Sequence, residues 1–346
     1  MSRNSAMQEY RDLQEILLSD KNLLFVGHTN PDGDCIGSLT GLFHFITDKT
    51  GRTDNINMVV PNDYPYFLEF LDENRRVMAY DKCEEEVNRL VDSADVVVCM
   101  DFNSFKRVEK LGERISACKA SKILIDHHPF PDRSQFDVAV SRPELSSTCE
   151  VVYSLIKGWC NSEGNERTLP LAAAVSLYTG LVTDTNNFAN SVLPSSFIMA
   201  GELMQAGVDK EWVQSMIYGG FHEDRMRLMG YMLHENMKIF PELKAAIMIL
   251  DKRTKERYNF QDGDSEGFVN LALGIKDIAV SGFFTEADGF IKVSLRSKAG
   301  YSVNDLAKEY FNGGGHVRAS GGRIYIPVDE VERYFIEALE KFKQKA

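Results

Sequence analysis

The sequence predicts an α/β protein, with an N-terminal parallel sheet covered by helices on both faces and a smaller C-terminal α+β domain. Three observations lead to this fold class. Short β-branched runs alternate with helix-length patterns up to about residue 215, the signature of parallel strands joined by crossover helices. From about residue 240 the alternation gives way to closely spaced strand-like runs and a glycine-rich stretch. The chain also has 346 residues, long for a single core. The boundaries drawn on this basis are 1–215 for the first domain, 216–239 for a helical linker and 240–346 for the second domain.

In chain order, residues 23–27, 56–60 (INMVV), 95–100 (DVVVCM) and 122–125 read as buried strands bounded by polar residues. Between them, helices are expected near 36–48, 66–72, 84–92 and 107–118. A polar loop at 161–168 (NSEGNERT) precedes a helix from about Pro170, a residue suited to the first turn. That helix runs into Thr183-Asp184-Thr185-Asn186, and helices are expected to continue to about 239. Beyond residue 244, AAIMIL, FVNLALGI, AVSGFFTE and FIKVSLRS suggest strands with one intervening helix. A glycine loop at 313–315, a short strand (GRIYIPV) and an amphipathic helix from about Asp329 complete the chain. No internal repeat or low-complexity segment is visible.

Composition narrows the function classes. With 44% hydrophobic and 26% charged residues the chain lies in the ordinary globular range. No apolar stretch approaches the roughly 18 residues of a membrane span, and the first residues lack the apolar core of a signal peptide. Six cysteines at 35, 83, 99, 118, 149 and 160 form no CxxC pair, which points to reduced thiols and a cytoplasmic setting. The net charge of −12 arises entirely before residue 240, because residues 240–346 hold 16 Lys/Arg against 16 Asp/Glu. Long duplex nucleic acid is therefore an unsuitable partner, whereas a short or small anionic substrate is compatible.

Two stretches carry most of the chemistry. His28–Asp34 (HTNPDGD) follows the first strand, and Asp126-His127-His128-Pro129 (DHHP) follows the fourth. Both fall where open α/β sheets bind ligands, at the C-terminal ends of strands. Each segment has an ordinary structural alternative. PDG is a common turn, Asp101 is one acid after a strand, and Asp184 can cap a following helix. Gly313-Gly314-Gly315-His316 can bind phosphate through backbone N–H groups or simply form a hairpin turn. Four of the seven histidines lie in these segments, whereas His44, His222 and His234 are assigned surface or packing roles. Cys35 is read as a packing residue, since no base stands at a fixed spacing from it. Several acids and imidazoles meeting at one sheet edge call for cations to neutralise them, which suggests a two-metal hydrolytic centre.

On these motifs the chain resembles the DHH phosphoesterase superfamily, named for the Asp126-His127-His128 triplet, over nearly its whole length. The first part matches the catalytic domain in HTNPDGD, the strand ending at Asp101, DHHP and Asp184. The second part is similar to the DHH-associated substrate-binding domain, with VSLRS (293–297) and GGGHxxAxG (313–321). Within the superfamily it is most similar to the bifunctional oligoribonuclease and pAp phosphatase group, the nanoRNases. The resemblance implies one divalent ion on His28, Asp32 and Asp101 and a second on Asp34, Asp101, His127 and Asp184. Mn2+ is the family's usual metal, with Mg2+ as the other option. His128 would contact the scissile phosphate and Asp126 would orient an imidazole. Arg296, Gly313, Gly314, Gly315 and His316 would hold the substrate's nucleotide end, with Lys298 and Arg318 as further phosphate contacts.

The expected reaction is hydrolysis of short single-stranded RNA to mononucleotides, and of pAp to AMP, by water activated between the two ions. The second domain is expected to face the metal edge across a cleft. Two alternatives stand beside this: a phosphodiesterase for linear or cyclic dinucleotides, and a nucleotide sensor without turnover. No membrane partner is expected, and a homodimer is compatible with the sequence.

Overall fold

A computed structural model describes residues 12–162 and 169–345. Most of the polar loop expected at 161–168 lies outside the described residues, and 161–162 instead end a helix. The chain divides into two compact units, Met1–Gly220 and Phe221–Ala346.

The first unit is built on six parallel strands: β1 (Leu23–Val26), β2 (Ile56–Val60), β3 (Val77–Ala79), β4 (Val96–Met100), β5 (Ser121–Asp126) and β6 (Val138–Ser141). Their spatial order is β3-β2-β1-β4-β5-β6, and every pairing is parallel. β1 and β4 are buried along their whole lengths because helices cover both faces. On one face Leu24, Val26, Val97, Cys99 and Leu124 pack with Val87 and Val91 of helix α2 (Glu84–Ser93) and with Leu111 and Ile115 of α3 (Glu109–Ala117). The strand order reverses between β1 and β4, so the chain leaves their C-terminal ends in opposite directions and opens a crevice there.

Three helices gather at that crevice: α1 (Gly33–Thr50), α4 (Thr148–Ser162) and α5 (Leu171–Asp184). Small residues allow the close approach. A Cβ on Gly37 would lie 2.5 Å from the Ser176 carbonyl, and one on Gly180 would lie 2.2 Å from Cys149 Sγ and 2.9 Å from Asp34 Oδ1. The Thr40 hydroxyl donates to Ser176 Oγ at 3.0 Å and pins α1 to α5. Edge strands β3 and β6 were not foreseen; at three and four residues they are too short to carry a periodic signal.

The second unit holds a mixed sheet in the order β11-β12-β10-β9-β8-β7. Its strands are β7 (Lys238–Phe240), β8 (Ala245–Leu250), β9 (Val280–Glu286), β10 (Ile291–Ser297), β11 (Gly314–His316) and β12 (Ala319–Ile324). Only β8 and β9 pair in parallel. The one helix expected among these strands falls on FVNLALGI, as a short helix (Phe268–Leu271) and a 3₁₀ turn (Ala272–Gly274). Two expectations need correction here. Helix does not persist to 239, because a π turn at Met232–Asn236 gives way to β7. The glycine-rich stretch is not a free loop, since Gly314–His316 pairs antiparallel with β12 as an edge strand. A further helix, Val303–Tyr310, capped by the Ser302 hydroxyl, packs beside that strand. The last helix, Val331–Lys345, covers the apolar face formed by Val293, Leu295 and Phe284.

Candidate metal centre

The crevice between β1 and β4 receives its side chains from five places in the chain. His28 lies two residues beyond β1, Asp101 directly follows β4, and Asp126 ends β5 with His127 and His128 after it. Asp32 is the N-cap of α1, where its Oδ1 accepts from the N–H groups of Asp34 and Cys35, each at 3.1 Å. The PDG segment is thus both a helix start and a site loop. Gly33 is needed for packing, because a Cβ there would lie 2.3 Å from Thr183 Oγ1. Asp184 is the last residue of α5, and the next helix starts only at Pro194, so it does not cap that helix.

These residues converge in two groups that share Asp101. His28 Nε2 lies 3.3 Å from Asp101 Oδ2 and 3.8 Å from Asp32 Oδ1. His127 Nε2 lies 3.7 Å from Asp101 Oδ1, 3.8 Å from Asp34 Oδ2 and 3.7 Å from Asp184 Oδ2. Ligands bonded to one ion at about 2.1 Å stand roughly 3–3.6 Å apart, so these separations suit ions with little adjustment. Asp101 is also held at φ +63°, a left-handed conformation that costs a non-glycine residue on the order of 1 kcal/mol. That backbone turns its carboxylate between the two imidazoles.

The imidazoles are oriented from behind. His28 donates its Nδ1–H to the Thr29 carbonyl at 3.0 Å, and His127 donates its own to the Leu145 carbonyl at 3.3 Å. Each Nε2 is thereby aimed at the carboxylates, and on giving up its proton would offer a lone pair to an ion, the arrangement typical of metal-ligating histidines. His128 differs: its Nδ1 donates to the buried Asp126 Oδ1 at 2.8 Å.

Electrostatics show why the donor set fits cations. Burial, reinforced by Asp101, pushes the Asp34 carboxyl up to about 8. Burial opposes charge on His28 and His127, yet their carboxylate neighbours prevail and raise them to about 10 and about 9. Without metal, this cluster holds protons to offset its crowded negative charge. His128 goes the other way, held well below the usual histidine range by burial, His127 and Arg107. Burial raises the Cys35 and Cys149 thiols well above their usual range, which leaves them neutral.

Residues 22–181 match the DHH family N-terminal domain, and residues 244–345 match the DHHA1 domain. The chain is 30% identical over 312 residues to the bifunctional oligoribonuclease and PAP phosphatase NrnA of Bacillus subtilis, spanning 88% of this chain and 90% of that one. It belongs to the DHH family. An exopolyphosphatase-related protein from Bacteroides fragilis has the same structure with a TM-score of 0.86 at 37% identity, over 97% of both chains. The manganese complex of RecJ from Thermus thermophilus shares the fold at a TM-score of 0.55 and 16% identity, over 98% of this chain and 55% of that one.

In the DHHA1 unit the nominated substrate residues lie on neighbouring strands. Arg296 is half-buried on β10, opposite Ala319 of β12, and Arg318 is exposed on the turn between β11 and β12. His316 is the last residue of β11. Lys298 donates to the carbonyls of Ile275 and Lys276 at 2.7 and 3.2 Å, which gives it structural work that competes with any phosphate contact. The glycines serve packing first. A Cβ on Gly313 would lie 1.9 Å from the Gly321 carbonyl oxygen, and Gly315 has φ +148°. Their N–H groups are engaged as well, Gly313 with the Ala307 carbonyl and Gly315 with Asn304 Oδ1. Gly314 alone of the three has room around its Cα, with nothing nearer than 3.6 Å to an added Cβ.

One structural component of the DHH centre escaped sequence reasoning. The first turn of α4 donates to the acids: Thr148 N–H to Asp34 Oδ2 at 2.6 Å, Cys149 N–H to Asp34 Oδ1 at 2.8 Å, and the Thr148 hydroxyl to Asp101 Oδ1 at 2.9 Å. A local signal was present. Ser147-Thr148-Cys149-Glu150 has the S-x-x-E spacing of a helix start, and Ser147 Oγ accepts the Glu150 N–H at 3.0 Å. What it caps toward is a long-range fact that spacing cannot reveal.

Proposed function

We propose that this chain is a divalent-metal-dependent phosphoesterase that cleaves short oligoribonucleotides to mononucleotides and pAp to AMP. The observation that carries the proposal is Asp101, whose two oxygens face separate His-and-Asp groups on either side of it. The relatedness to NrnA, whose name states both activities, supports the choice of substrates. His28, Asp32 and Asp101 would hold one ion, and Asp34, Asp101, His127 and Asp184 the other. Manganese is the metal proposed, in keeping with mixed imidazole and carboxylate donors and with its presence in the RecJ complex. The six free thiols suit a reducing cytoplasmic setting.

When bound, the ions would supply Lewis-acid activation of water and neutralise charge developing on the phosphate. The residues do the rest. His128 is neutral in the absence of substrate and its Nδ1–H is fixed on Asp126. An arriving phosphate favours the imidazolium, and Asp126 stabilises that charge. His128 can then pass a proton from Nε2 to the leaving oxygen as the P–O ester bond breaks and water oxygen joins phosphorus. Arg296, Gly314, His316 and Arg318 would bind the substrate's nucleotide end. Arg296 presents a planar fork suited to phosphate, and Gly314 permits close approach.

The test is a product profile with manganese across pAp, a labelled dinucleotide, longer RNA and cyclic di-AMP. Mononucleotides from the dinucleotide and AMP from pAp are expected, with Asp101→Ala losing about 10²-fold or more in kcat. Turnover of cyclic di-AMP with neither of the other two substrates cleaved would replace this function with the phosphodiesterase. Binding of pAp without any turnover would instead favour a sensor.

A further inference from the structure

We propose that Thr148 is a positioning residue for one of the two ions, the one on the His127 side, although it reaches neither metal nor substrate. The proposal rests on the reading of the crevice as a two-ion site. Three carboxylate oxygens, Asp34 Oδ2, Asp101 Oδ1 and Asp184 Oδ2, lie within 4 Å of His127 Nε2, and the first two are the ones Thr148 reaches. Thr148 holds both, the first through its backbone N–H at 2.6 Å and the second through its hydroxyl at 2.9 Å. The oxygen on the other side, Asp101 Oδ2, faces His28 at 3.3 Å and receives nothing from Thr148. One residue therefore holds two of the oxygens that face His127, whereas Asp101 Oδ2, Asp32 and His28 on the other side are held by other means.

Physical chemistry makes this arrangement effective. A carboxylate that must turn before it can bind loses conformational freedom on metal uptake, whereas one already held does not. Thr148 is fully buried, and so are Asp34 and Asp101, so each bond acts in a medium where charge-assisted hydrogen bonds are strong. The residue itself is held by its place in the first turn of α4, just after the Ser147 cap. A β-branched side chain there has restricted rotamers, which keeps its hydroxyl aimed.

The experiment is manganese titration by calorimetry of wild type, Thr148→Val and Thr148→Ser, with the exchange-coupled two-manganese resonance signal read in parallel. Valine keeps the shape and the backbone N–H but removes the hydroxyl, and serine restores it. Wild type should take up two ions per chain. Thr148→Val should lose about 10–100-fold in affinity for one of them, keep the other, and lose the coupled signal at low manganese, with Thr148→Ser close to wild type. Activity should recover when manganese is raised, with the metal concentration for half-maximal rate increased and the rate at saturation little changed. Affinity for both ions unchanged from wild type in Thr148→Val overturns the proposal. So does an equal loss at both sites that Thr148→Ser fails to rescue, since that pattern belongs to a purely structural residue. If valine prevents folding, Thr148→Ala asks the same question with less bulk. If wild type takes up no manganese, the two-ion reading itself fails, an outcome distinct from a metal-loaded protein indifferent to Thr148.

Discussion

The proton balance of the metal-free crevice predicts an unusual pH dependence of stability. Asp34 sits at about 8, His127 at about 9 and His28 at about 10 in the folded protein. In the unfolded chain an aspartate is ionised above about 4 and histidine is neutral above about 6.5. Between pH 6.5 and 8 the folded state therefore holds as many as three protons that the unfolded state has released, and stability must fall as pH rises. Groups shifted the other way do not interfere. Asp32 is depressed, so its contribution changes only in acid, and His128 is depressed, so its contribution changes below 6.5. One retained proton is worth about 1.4 kcal/mol per pH unit and three about 4 kcal/mol per pH unit. For a unit of this size each kcal/mol moves Tm by roughly 2–4 °C. In chelator, the melting transition of the first unit should drop by about 3–15 °C between pH 6.5 and 7.5. In saturating manganese the ions take the place of the protons, so the gap between loaded and chelated Tm should widen with pH. Differential scanning calorimetry over that pH range is the assay. A chelated transition that stays level or climbs with pH would show that these side chains do not share protons and refute the charge argument.

Three substitutions extend the reasoning. Asp126→Asn weakens the buried partner of His128, so kcat should fall about 10–100-fold, from roughly 1.5–3 kcal/mol for a charge-assisted bond, while two manganese ions still bind by calorimetry. Gly180→Ala places a methyl group against Cys149 Sγ and Asp34 Oδ1, so unfolding in urea should show a loss of about 1–3 kcal/mol together with weaker manganese uptake. An unchanged midpoint would mean that α4 and α5 can part without cost. In the second unit, Gly313→Ala meets backbone at 1.9 Å and should destabilise that unit, whereas Gly314→Ala meets nothing nearer than 3.6 Å and should fold normally. If Gly314 lies against the nucleotide, its alanine variant should raise KM for pAp several-fold with little change in melting temperature.

The residues that sequence reasoning nominated for the metal centre lay next to strand ends, where an acid or imidazole after an apolar run is visible without coordinates. His28, Asp101 and His127 are of that kind, and β1, β4 and β5 deliver them to one edge. Asp34 and Asp184 lie at helix ends, where a turn acid or a helix cap is an equally good local reading, and the family motif was needed to decide for ligands. Thr148 could not be singled out at all, because its two acceptors lie 114 and 47 residues away in the chain. In the second unit the glycines looked like a phosphate loop, yet packing of Gly313 against Gly321 and of Gly322 against Phe311 is what their missing side chains accomplish. Local spacing cannot distinguish a backbone neighbour from a ligand.

By itself, the sequence determined the layered α/β plan of the first unit and the chemistry of its donor set. Both follow from patterns a few residues long: apolar runs that must be buried, and polar groups stranded at their ends. Tertiary structure alone decided that the strand order reverses between β1 and β4, that Asp101 adopts a left-handed backbone between two imidazoles, and that α4 points its first turn at Asp34. Those features depend on which distant segments pack together, and packing is settled by the whole chain rather than by any stretch of it.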